Sequence, residues 1–445
     1  MLLSRRTLLP MLVTPVLATP LRAQAVPTDI LFRNVRVFDG IAPGLSGITN
    51  VLVRGNVIAA VGADVGAGAG SLVIDGAGRT LMPGLIDAHT HIMFASVPQL
   101  AALTADLGFL AIAGARAAEA MLLRGFTSVR DLGGPVFGVK RAIDQGLAMG
   151  PRIYPSGAMI SQSGGHGDFR LPTAMPAPPG SFDYGERVGA NAIADSPDTV
   201  RLRAREQLAL GATQIKLMAG GGVASSYDPL DVTQYSVPEL RAAVEAAQNW
   251  GTYVTVHAYT PRAIRQAIEA GVQCIDHGQL IDEPTAALMA KNGTWLSLQP
   301  FIEGEGANVY PEGSPNRAKQ REMFAGTDNA YALAKKYKLK VAWGTDILFN
   351  PQNLRLQGAQ LAKMTRWYTP AEALRMATSG NAGLLALSGP RNPYPGQLGV
   401  VAPGALADLL LVDGNPLEEI SLIADPERRM LVIMKDGKLC KNSLA

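Results

Sequence analysis

The sequence predicts an α/β protein, built as a (β/α)8 TIM-type barrel with a small β-sandwich domain assembled from both termini. In the middle of the chain, short apolar runs alternate with helix-like segments, which is typical of a parallel sheet. Strand-like segments separated by turn residues lie before and after that region. The predicted divisions are a leader at 1–25, the two parts of the β-domain at 26–83 and 396–445, and the barrel at 84–395.

The terminal segments read as short antiparallel strands. Four of them combine apolar runs with turn residues, at 29–39, 51–60, 407–412 and 430–438. Alternating apolar and polar residues place one face of a strand in the core and the other in water. Both ends of the chain are therefore expected to build one small β-domain.

Eight apolar runs are the predicted barrel strands, at 85–91, 128–132, 152–159, 214–218, 253–257, 274–277, 295–299 and 341–346. Helix-like segments accompany them at 111–123, 200–210, 237–249 and 261–270. Eight strands over roughly 260 residues fit the size of such a barrel. A doubly wound sheet is the alternative, but no Gly-rich dinucleotide fingerprint follows the first strand.

The first 25 residues resemble a twin-arginine export signal. Arg5 and Arg6 precede an apolar run, and Ala23 and Ala25 supply small residues for cleavage. The run is too short and too rich in proline for a membrane anchor. We therefore expect a periplasmic or secreted protein without an anchor, cleaved after about Ala25.

Composition and charge exclude several classes of protein. Apolar residues make up 47% of the chain and charged residues 17%, so there is ample material for buried cores and a disordered scaffold is excluded. Two cysteines cannot form a multi-disulfide framework or a four-thiolate zinc site. The net charge of +3 comes from the leader, so we expect no nucleic-acid partner.

Four of the five histidines, His89, His91, His257 and His277, lie at the carboxyl ends of predicted strands. In a barrel these ends converge on the active site. The two-residue period of a strand also aims His89 and His91 at the same face. A single histidine of this kind is more often a hydrogen-bonded core residue. Four together favour a divalent metal site.

Two further strand residues extend this set. Asp346 closes the last predicted strand, where a carboxylate can bind metal and accept a proton, although Asp is also a common helix N-cap. Lys216 lies in an apolar strand, where a buried ammonium beside cations would be costly. An acidic partner, or reaction with carbon dioxide to give a carbamate, would remove that cost. The spacing of the residues does not decide between an acidic partner and a carbamate. A third interpretation is a lysine whose side chain extends to the barrel rim.

These residues resemble the metal-dependent amidohydrolase superfamily. The resemblance covers nearly the whole mature chain and rests on the run MPGLIDAHTH at 82–91, Lys216, His257, His277, Asp346 and GALAD at 404–408. It implies a binuclear centre of two divalent cations, expected to be Zn2+. The implied ligands are His89, His91 and Asp346 for one ion, His257 and His277 for the other, and an N6-carboxylated Lys216 as the bridge.

Two glycine-rich motifs narrow the resemblance. The segments 163–168 and 218–222 are similar to a group of Xaa-Pro dipeptidases, carboxypeptidase-like enzymes and ochratoxin amidases. This implies cleavage of an amide or peptide bond to a C-terminal amino acid. The expected partner is a small-molecule substrate with a free carboxylate, and a homo-oligomer is compatible with the sequence.

The expected mechanism assigns three catalytic roles. Asp346 accepts the proton of the attacking water and delivers it to the leaving nitrogen. His166, in the loop after the third strand, is expected to hydrogen-bond the oxyanion. Tyr259, two residues beyond His257, is expected to offer its phenol to the same oxygen or to the substrate, with Tyr227 as a competitor.

The predicted pocket walls are the long loops at 161–195 and 303–315, which follow strands on the active-site side. Arg170, Arg187 and Arg317 are candidates to bind the substrate carboxylate, and the sequence does not choose among them. Asp131, at the second strand end, is expected to be structural.

Three other functions remain open at this point. The same scaffold could hydrolyse a cyclic amide, a lactone or a phosphotriester. A mononuclear deaminase would use the histidines and Asp346 without a bridging lysine. A non-catalytic zinc-binding protein would close its site with protein ligands, whereas strand-end ligands leave room for water.

Overall fold

The computed structural model of the chain describes residues 29–178, 180–304 and 310–444. The predicted leader with its cleavage site, and residues 305–309 of the second wall loop, lie outside this part. Among the described helices, none is long and apolar enough to cross a bilayer.

The described chain begins with five strands, β1 Ile30–Val37, β2 Ile48–Arg54, β3 Val57–Gly62, β4 Leu72–Asp75 and β5 Thr80–Pro83. Ten strands of the central region follow, β6 Leu85–Thr90, β7 Phe126–Asp131, β8 Arg152–Pro155, β9 Met159–Ser161, β10 Asn191–Ile193, β11 Ile215–Met218, β12 Val254–Ala258, β13 Cys274–His277, β14 Trp295–Leu298 and β15 Lys340–Trp343. The last three are β16 Leu409–Val412, β17 Met430–Lys435 and β18 Lys438–Asn442.

Strands from both ends of the chain pair with one another. Their order is β18-β17-β16-β5-β1-β2-β3, with β4 also paired to β1. The described strands of the two terminal regions, β1–β5 and β16–β18, thus form one eight-stranded mixed sheet. The predicted β-sandwich is not confirmed. A buried ion pair fastens this sheet to the central region, because Arg152 Nε of β8 lies 3.0 Å from an Asp408 oxygen.

The central strands are parallel, and apart from β10, which lies at the edge beside β9, they follow one another in chain order. One sheet runs β6-β7-β8 and the other runs β10-β9-β11-β12-β13-β14-β15. This order has no reversal of the kind that defines a doubly wound sheet, so the fold is an α/β barrel-like one. The carboxyl ends of β6 and β15 meet, since the Asp346 N–H donates to the His89 carbonyl at 2.8 Å. Within the described residues, strand pairing does not form one closed ring.

Fifteen α-helices are described, α1 Ile92–Ala95, α2 Gln99–Thr104, α3 Leu107–Leu123, α4 Phe137–Asp144, α5 Tyr184–Val188, α6 Pro197–Leu210, α7 Val237–Asn249, α8 Pro261–Ala270, α9 Glu283–Asn292, α10 Pro315–Lys336, α11 Pro351–Leu354, α12 Gln357–Ala362, α13 Pro370–Arg375, α14 Asn381–Leu385 and α15 Pro426–Arg429. Local sequence sets several of their starts: Ser196 caps α6 and Asp282 caps α9, each accepting a backbone N–H. The predicted helices 237–249 and 261–270 coincide with α7 and α8.

The predicted third strand differs from the observed one. The segment 152–159 is divided into β8 and β9, and the bend contains Gly157 at φ +75°. Glycine adopts this left-handed backbone without a steric penalty. The bend lets β9 pair with β11 and directs the chain after it towards the mouth of the barrel.

Candidate active site

Six predicted ligand side chains meet at the carboxyl ends of β6, β11, β12, β13 and β15. We call them the strand-end cluster: His89, His91, Lys216, His257, His277 and Asp346. All line one pocket. Burial of the four histidines and the lysine is nearly complete, and the side chain of Asp346 is 15% exposed. The parallel strands thus bring together residues that are far apart in the chain.

The carboxylate of Asp346 lies between two imidazoles. Its Oδ1 is 3.3 Å from His89 Nε2 and 3.1 Å from His91 Nε2. One ligand atom each from His89, His277 and Asp346 lie within 4.8 Å of one another. His277 therefore lies near the predicted first ligand set as well as near His257, whose ring centroid is 4.4 Å away.

Two residues of the strand-end cluster have positive φ angles, His277 at +82° and Asp346 at +52°. Such backbone is costly for residues other than glycine, and it concentrates at functional sites. At the end of β13 the positive φ of His277 also interrupts the alternation of side chains between the two faces of the strand. The consecutive residues Asp276 and His277 therefore both contact the cluster.

Hydrogen bonds leave a ring nitrogen of two histidines for a metal. His257 Nε2 donates to the Gly221 carbonyl at 3.0 Å, which leaves its Nδ1 lone pair. His277 Nδ1 lies 2.8 Å from Gln299 Oε1, which leaves Nε2. Outer partners of this kind orient metal-binding histidines. Gln299 was not singled out from the sequence, although it ends the predicted seventh strand and the strand-end rule applies to it.

Lys216 has an acidic partner. Its Nζ lies 2.6 Å from Asp276 Oδ2, while Arg130 Nη2 lies 2.6 Å from the other oxygen of the same carboxylate. All three side chains are buried. Burial opposes ionisation of Asp276, but the two cations outweigh it and hold its pKa below the usual value. The acidic partner was one of the arrangements left open by the sequence, and carboxylation of Lys216 stays a prediction.

The protonation states suit a divalent cation. Burial lowers the pKa of His277 to about 4 and the pKa values of His89 and His257 well below the usual range, so these rings are neutral at pH 7. Burial opposes ionisation of Asp346, but the His91 hydrogen bond and nearby positive charges keep its pKa low. Neutral imidazoles with a carboxylate are ligands that Zn2+ binds, so the residues fit the implied metal.

His166 lines the same pocket, and its ring stacks on His257 with centroids 4.0 Å apart. Its Nδ1 lies 2.8 Å from Ser225 Oγ, and its backbone N–H donates to Gln234 Oε1 at 2.9 Å. The ring lies against Gly222, where a Cβ would come within 2.0 Å of it. We call Gly222, Ser225, Asp228 and Gln234 the loop cradle.

Two glycines of the run at 220–222, Gly221 and Gly222, therefore have a steric function. A Cβ at Gly221 would lie 1.8 Å from the Pro229 carbonyl oxygen, and one at Gly222 would overlap His166. The sequence identified the run but not its role, because the need for Gly222 comes from His166, which lies 56 positions earlier in the chain.

The two predicted tyrosines differ in position. Tyr259 is buried in the pocket wall, with its ring centroid 4.9 Å from that of His257 and 5.1 Å from that of His277. The Tyr227 hydroxyl instead donates to the Arg170 carbonyl, and Tyr227 lines a different pocket. Tyr259 is thus the tyrosine of the two that contacts the strand-end cluster.

The three predicted arginines do not line the described pocket. Arg170 is paired with Asp168 at 2.6 Å, Arg317 is paired with Glu303 and Glu312, and Arg187 is exposed on α5. Besides Lys216, the cation among the described lining residues is Lys363, just after α12. Sequence reasoning missed it, because a lysine near a helix end carries no distinctive signal.

The pocket has a cavity volume of about 120 Å³ and opens to solvent, and apolar side chains make up much of its wall. They come from the first predicted wall loop, from the segments after β11, β14 and β15 and from α10, and include Phe169, Val223, Phe301, Ile302, Met323, Phe324, Ile347 and Leu348. A mostly apolar pocket with a few convergent polar groups suits a small organic substrate.

Two buried carboxylates, Asp131 and Asp87, hydrogen-bond to the segments that carry the cluster. Asp131 Oδ2 accepts the Ile92 N–H at 2.6 Å, at the start of α1, and burial raises the pKa of Asp131 to about 7. Asp87 accepts hydrogen bonds from Thr345 at 2.7 Å and from Gln357 at 2.9 Å. Asp87 thus ties β6 to the segment that carries Asp346, a role that was not predicted from the sequence.

A model described as Amidohydrolase family matches residues 80–440. Ochratoxinase of Aspergillus niger is 35% identical over 380 residues, which cover 81% of this chain and 75% of that protein. The crystal structure of an amidohydrolase matches with a TM-score of 0.85 at 38% identity, over 94% of this chain and 100% of that chain. A prolidase complexed with N-methylphosphonate-L-proline matches with a TM-score of 0.83 at 36% identity, over 93% and 100%. This chain therefore belongs to the amidohydrolase family and is a hydrolase that acts on amide or peptide bonds.

Proposed function

We propose that this enzyme cleaves an amide whose amine side is an amino acid with a free carboxylate. It would act as a dipeptidase, a carboxypeptidase-like enzyme or an N-acyl amino acid amidase, with ochratoxin-type amides among its substrates. The observation that carries the proposal is the convergence of the strand-end cluster on one largely apolar pocket. The names of the relatives, ochratoxinase and prolidase, support this substrate shape.

The proposed centre holds two divalent cations, expected to be Zn2+. His89, His91 and Asp346 would hold one ion and His257 with His277 the other, with carboxylated Lys216 as the bridge. When bound, such cations lower the pKa of water and polarise a carbonyl. Carboxylation would take the Lys216 amine out of its ion pair with Asp276, and Arg130 would keep that carboxylate paired.

The chain's own groups complete the reaction. Asp346 accepts the proton of the attacking water and passes it to the leaving nitrogen, which would otherwise depart as a poor leaving group. Tyr259 and His166 line the pocket where the oxyanion would form. Lys363 is the proposed partner of the substrate carboxylate, because it is the cation of the described lining outside the strand-end cluster.

The experiment compares the parent with Lys216→Ala and Asp346→Asn. Metal per chain is measured by mass spectrometry, and hydrolysis of N-acyl amino acids and Xaa-Pro dipeptides is followed beside lactones. We expect two ions in the parent, fewer in Lys216→Ala, and loss of about 100-fold or more of amide hydrolysis in Asp346→Asn. One ion or none in the parent, with Lys216→Ala unchanged, would contradict the binuclear centre. Turnover of lactones alone would contradict the substrate class.

Export is part of the same proposal. The leader at 1–25 predicts a mature chain that begins near Val26 outside the cytoplasm. Fractionation of the producing cells, with mass spectrometry of the N-terminus, tests this. An uncleaved chain in the cytoplasm would contradict it.

A further inference from the structure

The ring of His166 is held by a hydroxyl that has a second partner. Ser225 Oγ lies 2.8 Å from His166 Nδ1 and 3.2 Å from the Gly222 carbonyl oxygen. A serine hydroxyl carries one hydrogen, and a carbonyl oxygen can only accept. Both contacts are satisfied only if Ser225 donates to Gly222 and accepts from an N–H at His166 Nδ1.

Ser225 is itself held in place. It is 2% exposed, and its carbonyl accepts hydrogen bonds from Lys319 Nζ at 2.8 Å and Asn316 Nδ2 at 3.1 Å, both on α10. Asp228 fixes the other side of the loop by accepting from the Gly222 N–H at 2.8 Å. The hydroxyl therefore meets the ring from a loop that is hydrogen-bonded on both sides.

We propose that Ser225 is a positioning residue that fixes a hydrogen on His166 Nδ1 and leaves Nε2 as the ring nitrogen presented to the substrate. The inference deepens the proposed function and rests on it only for the role of His166 in turnover. The consequence is chemical: a neutral His166 presents Nε2 as an acceptor, and it donates to an oxyanion only when Nε2 also carries a proton.

The test is long-range 1H–15N NMR of the full-length protein labelled at histidine. The His166 signals are assigned by their loss in His166→Gln. We expect the parent to carry the hydrogen on Nδ1, and Ser225→Ala to shift the ring towards the Nε2–H form. Ser225→Thr, which keeps the hydroxyl, is expected to restore the parent pattern. Ser226→Ala is the matched control, because the neighbouring serine is exposed.

Kinetics supply a second readout. Ser225→Ala is expected to lower kcat about tenfold while KM changes less than about twofold, because one hydrogen bond to the ring is lost and the pocket wall is kept. Ser226→Ala is expected to leave both unchanged. A parent ring protonated only at Nε2, or a Ser225→Ala variant with the parent NMR pattern, would overturn the inference. If the parent hydrolyses none of the amides, the proposed function fails and the NMR result still decides the role of Ser225.

Discussion

The two sides of the pocket are held in different ways. The strand-end cluster rests on charges, since Asp276 joins Lys216 and Arg130 in a buried group where the side chains are at most 1% exposed. The loop cradle hydrogen-bonds His166 through neutral partners, Ser225 and Gln234, and makes room for its ring at Gly222, while the carboxylate of Asp228 lies 3.8 Å from His166 Nδ1. The strand-end cluster therefore depends on charge balance, and the loop cradle depends mainly on shape.

This difference indicates how each side fails. A buried charge that loses its partner costs several kcal/mol, because the remaining ion stays in a medium of low polarity. A lost neutral hydrogen bond costs about 1 kcal/mol, although a misplaced ring can still cost activity. We expect changes on the strand side to affect stability first, and changes in the cradle to affect turnover first.

The largest expected effect is that of Asp276→Asn. The substitution leaves the buried cations Lys216 and Arg130 without a carboxylate, and we expect the free energy of unfolding to fall by about 3–5 kcal/mol. Denaturant unfolding of the metal-free protein measures it. Glu283→Gln is the control, because it removes an exposed ion pair with Lys336 and should barely move the unfolding midpoint. Equal small effects of the two variants would mean that the buried group does not depend on charge balance.

Gly222→Ala is the matching test of the cradle. The new Cβ would lie 2.0 Å from the His166 ring, so the ring must move. We expect kcat to fall by about 10- to 100-fold with the unfolding midpoint nearly unchanged, since a small misplacement of a reacting group has effects of this size. Gly220→Ala controls for the loss of a glycine, because its Cβ meets nothing closer than 3.4 Å. The comparison fails if the two alanine variants have the same kcat.

The two sides also differ in how far the sequence predicts them. The alternation of strands and the placement of polar residues at strand ends predict that His89, Lys216 and Asp346 lie together, because parallel strands present their carboxyl ends at one edge. They do not predict which acid pairs with Lys216. That choice depends on the positive φ of His277, which turns Asp276 and His277 towards the same cluster.

The loop cradle was not predicted from the sequence because its contacts are long-range and lack a period. His166 and Ser225 are 59 positions apart, and loop conformation alone brings them together. The same reason applies to Lys363, which a helix end carries into the pocket, and to the bend at Gly157 that divides the third strand.

The smallest expected effect concerns a charged pair in the loop that carries His166, Asp168 with Arg170. Burial opposes ionisation of Asp168, but hydrogen bonds from Arg170 and from the Gly164 N–H outweigh it and hold its pKa below the usual value. A lowered carboxyl pKa stabilises the folded state above the unfolded value of about 3.9, and this contribution is lost as the pH falls further. We expect Asp168→Asn to lower the thermal midpoint at pH 7 and to approach the parent below about pH 4. Unfolding midpoints measured from pH 7 to pH 3 test it. A gap that stays constant over this range would mean that Asp168 contributes through packing and not through its charge.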